Sequence, residues 1–118
     1  MFVNILKSKI HLATVTDGNV DYEGSLTIDI ALMEKVGMLP YERILIGNMK
    51  NGNRFETYAI PGPRGKRDIC LNGACAHLGK KGDRLTIMSF ASVDPKRAKS
   101  FKPKKLNLDR QNRPTRIG

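Results

Sequence analysis

Apolar and polar residues alternate along the first part of the chain. Ile10 and Leu12 are two positions apart; Lys9 precedes Ile10, and His11 lies between the two apolar residues. A period of two is typical of a β-strand that has one face buried. The pattern therefore predicts a strand that carries Lys9 and His11 on one face, together with Ala13, and Ile10 and Leu12 on the other.

Five more apolar runs predict further strands, which gives six in all. They are residues 26–28, 43–49, 54–60, 68–71 and 84–93. Asn51-Gly52 is the strongest hairpin signal in the chain, and residues 17–19 (Asp-Gly-Asn) predict another turn. Within residues 54–60, the alternation places Arg54 and Tyr58 on one face and Thr57 on the other.

One helical segment interrupts these strands. Asp29 is a suitable N-cap for a helix that continues through Val36 and ends at Gly37 and Pro40. Asn72-Gly73 predicts a tight turn. Short strands, tight turns and one or two short helices together predict a mainly β fold, a small closed six-stranded barrel.

Length and composition limit the protein to a few classes. A chain of 118 residues, 40% of them hydrophobic, builds one small core. No apolar run is long enough to span a membrane, and the start of the chain lacks the pattern of a signal peptide. Cys70 and Cys75 are too few for a disulfide framework, and they do not match a zinc-ligand spacing. We therefore expect two reduced thiols in a cytoplasmic protein without a metal.

The net charge of +10 is unevenly distributed. Residues 94–118 hold nine basic and two acidic side chains, a net +7, which leaves +3 for residues 1–93. Three prolines and few apolar residues in this segment predict a solvated basic tail behind a compact domain of residues 1–93. A basic tail attracts polyanions, so a non-enzymatic β-barrel that binds RNA is the alternative function. No aromatic stacking platform accompanies the charge, which makes nucleic acid an unlikely main ligand.

The dipeptide Gly24-Ser25 is the candidate for unusual chemistry. Glycine permits strained or left-handed backbone dihedrals, and it leaves its carbonyl without a shielding side chain. The Ser25 hydroxyl can attack that carbonyl if the backbone is held out of its relaxed shape. Gly-Ser pairs also fill ordinary turns, so the dipeptide alone leaves both interpretations open.

Five motifs occur in a fixed order and spacing. They are Lys9-Ile10-His11, Tyr22-Glu23-Gly24-Ser25, residues 54–60 (Arg-Phe-Glu-Thr-Tyr-Ala-Ile), Arg64-Gly65 and Asn72-Gly73-Ala74. With this set, residues 1 to about 92 closely resemble the aspartate decarboxylases. These are small pyruvoyl-dependent enzymes that convert L-aspartate to β-alanine and CO2 for pantothenate synthesis. The resemblance implies a double-psi β-barrel and a homotetramer with its sites at subunit interfaces. One departure is Cys75, where the family usually has a second alanine.

The resemblance also implies where the cofactor comes from. Decarboxylation of an amino acid leaves a carbanion that needs an electron sink. The resemblance implies that Ser25 attacks the Gly24 carbonyl to form an ester, which then eliminates. The chain is thereby cut into residues 1–24 and 25–118, and Ser25 becomes a pyruvoyl group whose ketone takes the substrate amine as a Schiff base. Pyridoxal phosphate is not expected, because residues 61–66 fail the phosphate-loop pattern. Whether the cleavage is spontaneous or needs a maturation helper stays open.

Three side chains are assigned to the substrate. Tyr58 is the expected proton donor to the substrate Cα, since a phenol is protonated at neutral pH. Arg54 offers a planar fork for a carboxylate, although a surface ion pair is its ordinary role. Lys9 is either a second carboxylate anchor or an exposed lysine at a strand edge.

The remaining assignments follow from the resemblance. Thr57 steadies the oxyanion during self-cleavage and contacts substrate, which fits its opposite face only if the strand twists or if subunits share the site. Asn72 hydrogen-bonds near the pyruvoyl group. The backbone N–H groups of Gly73, Ala74 and Cys75 face a carboxylate; the Cys75 side chain packs against substrate in the alternative arrangement. His11 has no assigned step.

Overall fold

A computed structural model describes residues 1–117 and has a mainly β fold, as predicted. It contains nine strands: β1 Val3–Thr14, β2 Asp17–Asn19, β3 Ser25–Asp29, β4 Arg43–Asn48, β5 Arg54–Gly62, β6 Ile69–Asn72, β7 Arg84–Val93, β8 Lys104–Leu108 and β9 Pro114–Ile117. Two short α-helices, α1 Ile30–Val36 and α2 Pro95–Ala98, and a 3₁₀ turn, Gly73–His77, complete it. Neither of these described helices has the length and apolar character that a membrane crossing requires.

The nine strands form one hydrogen-bonded order, β2-β6-β3-β5-β4-β7-β1-β8-β9. Parallel pairing joins β3 to β5 and β1 to β8, whereas β4 pairs antiparallel with both β5 and β7. The Thr16 N–H donates to the Ile69 carbonyl at 2.8 Å and so joins the end of β1 to β6, far along the strand order. Fully buried aliphatic side chains from most strands fill the interior: Ile10, Leu26, Ile28, Ile46, Ile69, Leu71, Leu85, Ile87 and Leu106. The arrangement is consistent with a small β-barrel.

A bulge in β1 interrupts the alternation that the sequence predicts for this strand. The register against β7 shifts between His11 and Ala13, where Leu12 has a positive φ of 66°. The extra residue turns the following side chains over. Ala13 and Val15 are therefore buried in place of Leu12, and the prediction that Leu12 shares the face of Ile10 is wrong.

Helix α1 begins and ends where the sequence predicts. The Asp29 Oδ1 atom accepts the Ala31 N–H at 2.8 Å, and Gly37 ends the helix with a left-handed φ of 71°. The second Asp29 oxygen accepts the N–H groups of Gly65 and Arg67 at 3.0 and 2.7 Å. This buried carboxylate ties the loop after β5 to the helix and gives the Arg64-Gly65 motif a structural role.

The expectation that residues 94–118 form a solvated tail is wrong. Strand β8 pairs with β1, and its Leu106 and Leu108 are only 0% and 3% exposed. Lysines dominate the composition of this segment and hide the alternation of its two leucines. Because β8 lies in the same sheet as residues 1–93, the chain does not divide at residue 93; Gly118 lies outside the described residues.

Two further differences concern the number of strands. Residues Asp17–Asn19 pair in parallel with β6, where the sequence predicts only a turn. With β8 and β9, this pairing raises the count from the expected six strands to nine.

Candidate active site

Ser25 is the first residue of β3, and its side chain is completely buried. Its hydroxyl donates to the Glu23 carbonyl oxygen at 3.0 Å and accepts a hydrogen bond from Asn72 Nδ2, also at 3.0 Å. Ser25 and Asn72 are direct cross-strand partners of β3 and β6. The oxygen is therefore held in one position next to its own peptide group.

Asn72 lies at the centre of a small polar network. Its Nδ2 also donates to Thr27 Oγ1 at 2.9 Å, and its Oδ1 accepts from the Cys70 thiol at 3.2 Å. Thr27 and Cys70 are the next cross-strand pair on the same face. The sequence analysis missed both residues, although each lies two positions from a predicted one and a strand period of two brings it to the same face.

Gly73 packs directly against the Gly24-Ser25 dipeptide. It has a left-handed φ of +61°, and a Cβ built there would lie 2.6 Å from Gly24 N and 2.9 Å from the Tyr22 carbonyl oxygen. Gly24 itself has no positive φ, and a Cβ at Gly24 would meet nothing within 4 Å. Gly24 therefore does not use the left-handed dihedrals that glycine permits. A left-handed φ occurs instead at Gly73, which needs glycine both for this φ and for the close approach.

Asn72-Gly73 opens the 3₁₀ turn rather than a simple reverse turn. The Asn72 side chain makes no capping bond to this turn, because it is engaged with Ser25 and Thr27. The first N–H groups of a helical turn have no partner within the turn, so those of Gly73 and Ala74 are candidate donors to a ligand. Cys75 is 6% exposed and belongs to the core. Its side chain packs in the core, which favours the backbone as its candidate contribution to the site.

Tyr58 lies beside Ser25 through the pairing of β3 with β5. Leu26 is level with Ala59, so one step back along both parallel strands Ser25 is level with Tyr58. The Tyr41 ring stacks on the Tyr58 ring with centroids 6.1 Å apart. Partial desolvation raises the pKa of the Tyr58 phenol, and the nearby Glu23 carboxylate raises it further. The phenol therefore stays protonated across the neutral range.

Arg54 and Lys9 lie on strands other than that of Ser25. Arg54 is exposed at the start of β5, four residues before Tyr58, which corresponds to about 13 Å along a strand. Lys9 is on β1, which β7 and β4 separate from β5 in the strand order. Thr57 precedes Tyr58 on β5 and therefore points to the opposite face of the strand, as predicted.

His11 shares the face of Lys9, and its Nδ1 lies 3.1 Å from Thr86 Oγ1. Burial lowers its pKa, and the charges of Lys9 and Arg84 lower it further, so the imidazole is neutral at pH 7. Within residues 1–117, no three His, Cys, Asp or Glu side chains are grouped as a metal site would need. Cys70 and Cys75 are free thiols.

Comparison with known proteins decides the family. The family model described as aspartate decarboxylase matches residues 1–115. The chain belongs to this family. The match includes most of residues 94–118, in agreement with their place in the sheet.

Curated aspartate decarboxylases resemble the chain along nearly its whole length. The aspartate 1-decarboxylase of Chlorobium luteolum is 52% identical over 116 residues, which are 98% of this chain and 91% of that protein. The enzyme of Prosthecochloris aestuarii is also 52% identical, covering 98% and 90% of the two chains. That of Thermoanaerobacter pseudethanolicus is 49% identical over 113 residues, covering 96% and 97%.

As an aspartate decarboxylase, the chain brings part of the predicted site together. Ser25, Asn72, Gly73 and Tyr58 meet around the Gly24-Ser25 peptide, through hydrogen bonds, close packing and strand register. One chain therefore holds the surroundings of the Gly24-Ser25 peptide together, whereas the two predicted carboxylate anchors, Arg54 and Lys9, lie on different strands, β5 and β1.

Proposed function

We propose that this protein decarboxylates L-aspartate to β-alanine and CO2, the reaction that supplies β-alanine for pantothenate synthesis. The pyruvoyl group that serves as its cofactor is made from Ser25 after cleavage of the Gly24–Ser25 bond. The observation that carries this proposal is the buried Ser25 hydroxyl, held by Glu23 and Asn72 against a peptide that Gly73 packs upon. In a member of the aspartate decarboxylase family, this constellation is the expected origin of the cofactor.

Self-cleavage begins with attack of Ser25 Oγ on the Gly24 carbonyl carbon. The C–N bond breaks, the hydroxyl proton passes to the Ser25 nitrogen, and an ester joins residues 24 and 25. Loss of the Ser25 Cα proton then expels the Gly24 carboxylate and splits the chain. Water replaces the freed nitrogen, ammonia leaves, and a ketone remains at residue 25.

Two neighbours favour the first step. Asn72 Nδ2 holds the attacking oxygen from one side, and the close packing of Gly73 fixes Gly24. Thr57 lies on β5, the strand that pairs with β3 directly after Gly24, which supports its assignment to the oxyanion that forms on the Gly24 carbonyl. N–H groups at the start of the 3₁₀ turn offer further donors.

In turnover, the pyruvoyl ketone supplies the electron sink for the carbanion that loss of CO2 creates. Tyr58 holds the proton that Cα receives, and its raised pKa keeps the phenol protonated at neutral pH. Asn72 and the backbone N–H groups of Gly73, Ala74 and Cys75 orient the substrate. Arg54 and Lys9 bind its carboxylates.

We also propose that the complete site forms between subunits of a homotetramer. Arg54 is four residues from Tyr58, about 13 Å along β5, so we assign to a neighbouring chain the cation that completes the Ser25 site. Exposed apolar side chains of the described residues supply contact area for such an assembly: Phe2, Leu39, Tyr41, Met49 and Phe90. Free thiols favour the reducing cytoplasm as its location.

The alternative of an RNA-binding barrel has no support. The basic segment that motivated it contributes two strands to the sheet.

The proposed function is tested by β-alanine formation from L-aspartate. Wild-type protein is expected to release equal amounts of β-alanine and CO2, and Ser25→Ala none. Ser89→Ala is the matched control, because Ser89 is equally buried and its hydroxyl has no partner among the described residues. Absence of turnover in cleaved wild-type protein would refute the proposal; adding cell extract to uncleaved protein shows whether maturation needs a helper.

The shared site is tested by mixing subunits. Ser25→Ala and Arg54→Ala chains are each expected to be inactive alone and to regain part of the activity when they are co-expressed. Complete lack of recovery in mixed tetramers, verified by native mass spectrometry, would place both residues in a site within one chain.

A further inference from the structure

We propose that the Cys70 thiol is a positioning residue for self-cleavage, because it orients the Asn72 amide toward Ser25. The inference rests on the proposed function and adds to it a residue that does not touch the reacting atoms. Cys70 acts through Asn72, to which it donates at 3.2 Å.

The two ends of the Asn72 amide have nearly the same shape and opposite hydrogen-bonding character. In the observed orientation Nδ2 donates to both Ser25 Oγ and Thr27 Oγ1, while Oδ1 faces the Cys70 thiol. Since Asn72 is only 2% exposed, solvent does not supply substitute partners. Its protein neighbours therefore determine the orientation.

The orientation of the Asn72 amide affects Ser25 because the only hydroxyl proton of Ser25 is already used in a hydrogen bond. Ser25 donates it to the Glu23 carbonyl oxygen, so its oxygen needs a donor from Asn72. A reversed amide would present Oδ1 to Ser25 and draw the proton away from Glu23, which turns the hydroxyl. The Thr27 hydroxyl can donate or accept and does not distinguish the two orientations.

Cys70 is the neighbour that favours one orientation of the Asn72 amide over the other. Within the described residues, its S–H is the side-chain donor that satisfies Asn72 Oδ1 in the observed orientation, whereas sulfur is only a weak acceptor for a reversed amide. With alanine at position 70, either orientation leaves one buried end of the amide unpartnered, so the preference is lost. Part of the population then holds Ser25 in the wrong hydrogen-bonding arrangement.

The surroundings of Cys70 keep its proton in place. Burial raises the pKa of the thiol, and the charges of Asp17 and Asp68 raise it further. A thiolate could not donate to Oδ1, so the protonated form is the one that the network requires.

The experiment measures self-cleavage of newly made chains. Protein is synthesised in a short cell-free pulse, translation is stopped, and conversion of the full-length chain to two fragments is followed on gels. Cys70→Ala is expected to cleave about 5- to 10-fold more slowly than wild type, the effect of one buried hydrogen bond. Cys70→Ser keeps a donor for Asn72 Oδ1, but its hydroxyl can also accept from a reversed amide, so it is expected to cleave at a rate between those of Cys70→Ala and wild type.

A second pair of variants separates positioning from stability. Ile69→Val removes a core methylene from the same strand without altering the network, and it is expected to cleave at the wild-type rate. Cys70→Val also removes the donor but leaves no cavity, and it is used in place of Cys70→Ala if the alanine variant does not fold. Urea unfolding of all variants shows whether stability tracks the cleavage rate.

Three results would overturn the inference. They are cleavage of Cys70→Ala at the wild-type rate, cleavage of Cys70→Ser as slow as that of Cys70→Ala, or equal slowing in Ile69→Val. Wild-type chains that never cleave, with or without extract, would overturn the proposed function along with it. Normal wild-type cleavage with unaffected Cys70 variants would overturn this inference alone.

Discussion

Replacing Gly73 by alanine is expected to stop most self-cleavage while the fold survives. Two effects combine at this position. A left-handed φ costs a residue with a side chain about 1–2 kcal/mol. In addition, the new Cβ would lie 2.6 Å from Gly24 N and 2.7 Å from Gly24 Cα, both backbone atoms that cannot rotate away.

The size of the displacement follows from these distances. Ordinary van der Waals contact begins at 3.4 Å, so the Gly24 backbone has to withdraw from 2.6 Å by about 0.8 Å. A misplacement of about 1 Å between reacting groups can cost about 10²-fold in rate. We therefore expect Gly73→Ala to cleave about 10²-fold more slowly than wild type.

Gly52→Ala is the matched control. Gly52 also has a left-handed φ, +78°, but a Cβ there would meet nothing within 4 Å. Both variants are expected to lose about 1–2 kcal/mol in urea unfolding, the shared backbone cost, with Gly73→Ala losing more. In the cell-free cleavage assay only Gly73→Ala should be slow. Equal cleavage rates for the two variants would refute the argument that the contact between Gly73 and Gly24 positions the reacting peptide.

The remaining predictions concern turnover and stability. Tyr58→Phe is expected to self-cleave normally and to form β-alanine about 10²–10⁴-fold more slowly, which steady-state assays of the cleaved protein measure; wild-type turnover would remove Tyr58 from the mechanism. Because its pKa is raised, the acid form of Tyr58 persists to higher pH. The alkaline loss of kcat in a pH–rate profile is therefore expected above the pH range in which an ordinary tyrosine phenol titrates. A loss of kcat at lower pH that is absent from Tyr58→Phe would contradict this expectation. Leu106→Ala is expected to lose about 2–5 kcal/mol in urea unfolding, against less than about 0.5 kcal/mol for the exposed Lys104→Ala. Similar small losses for both would restore the interpretation of residues 94–118 as a solvated tail.

Local sequence signals predicted the strands and the helix around the site. Asp29 and Gly37 bound helix α1 as expected, because capping depends on neighbouring residues only. The alternation in β5 likewise placed Arg54 and Tyr58 on one face, since strand period does not depend on distant contacts.

The features that were predicted wrongly depend on contacts between residues far apart in the sequence. The bulge at Leu12 is set by the register against β7, which no local pattern specifies. Leu106 is buried only because β8 joins β1 across almost one hundred residues of chain, and its lysine neighbours dominate the composition.

In the candidate site, too, local motifs were predicted and features that depend on distant contacts were not. Ser25, Asn72 and Gly73 were assigned from their motifs, yet the left-handed φ of Gly73 and its close approach to Gly24 were not predicted, because both depend on packing between two segments. Cys70 and Thr27 carry no motif of their own, and only the pairing of β3 with β6 brings them to Asn72.

The central claim is that Ser25 converts itself into the cofactor, and the intact masses of purified wild-type and Ser25→Ala protein test it most directly. Wild type is expected to give two fragments, residues 1–24 and 25–118, whose masses sum to the uncut chain plus one water minus one ammonia. The larger fragment should have no free amine, and Ser25→Ala should remain one chain. Fragments that sum to the uncut chain plus one water would indicate simple hydrolysis without a ketone. A wild-type protein that stays as one chain and still decarboxylates L-aspartate would contradict the account.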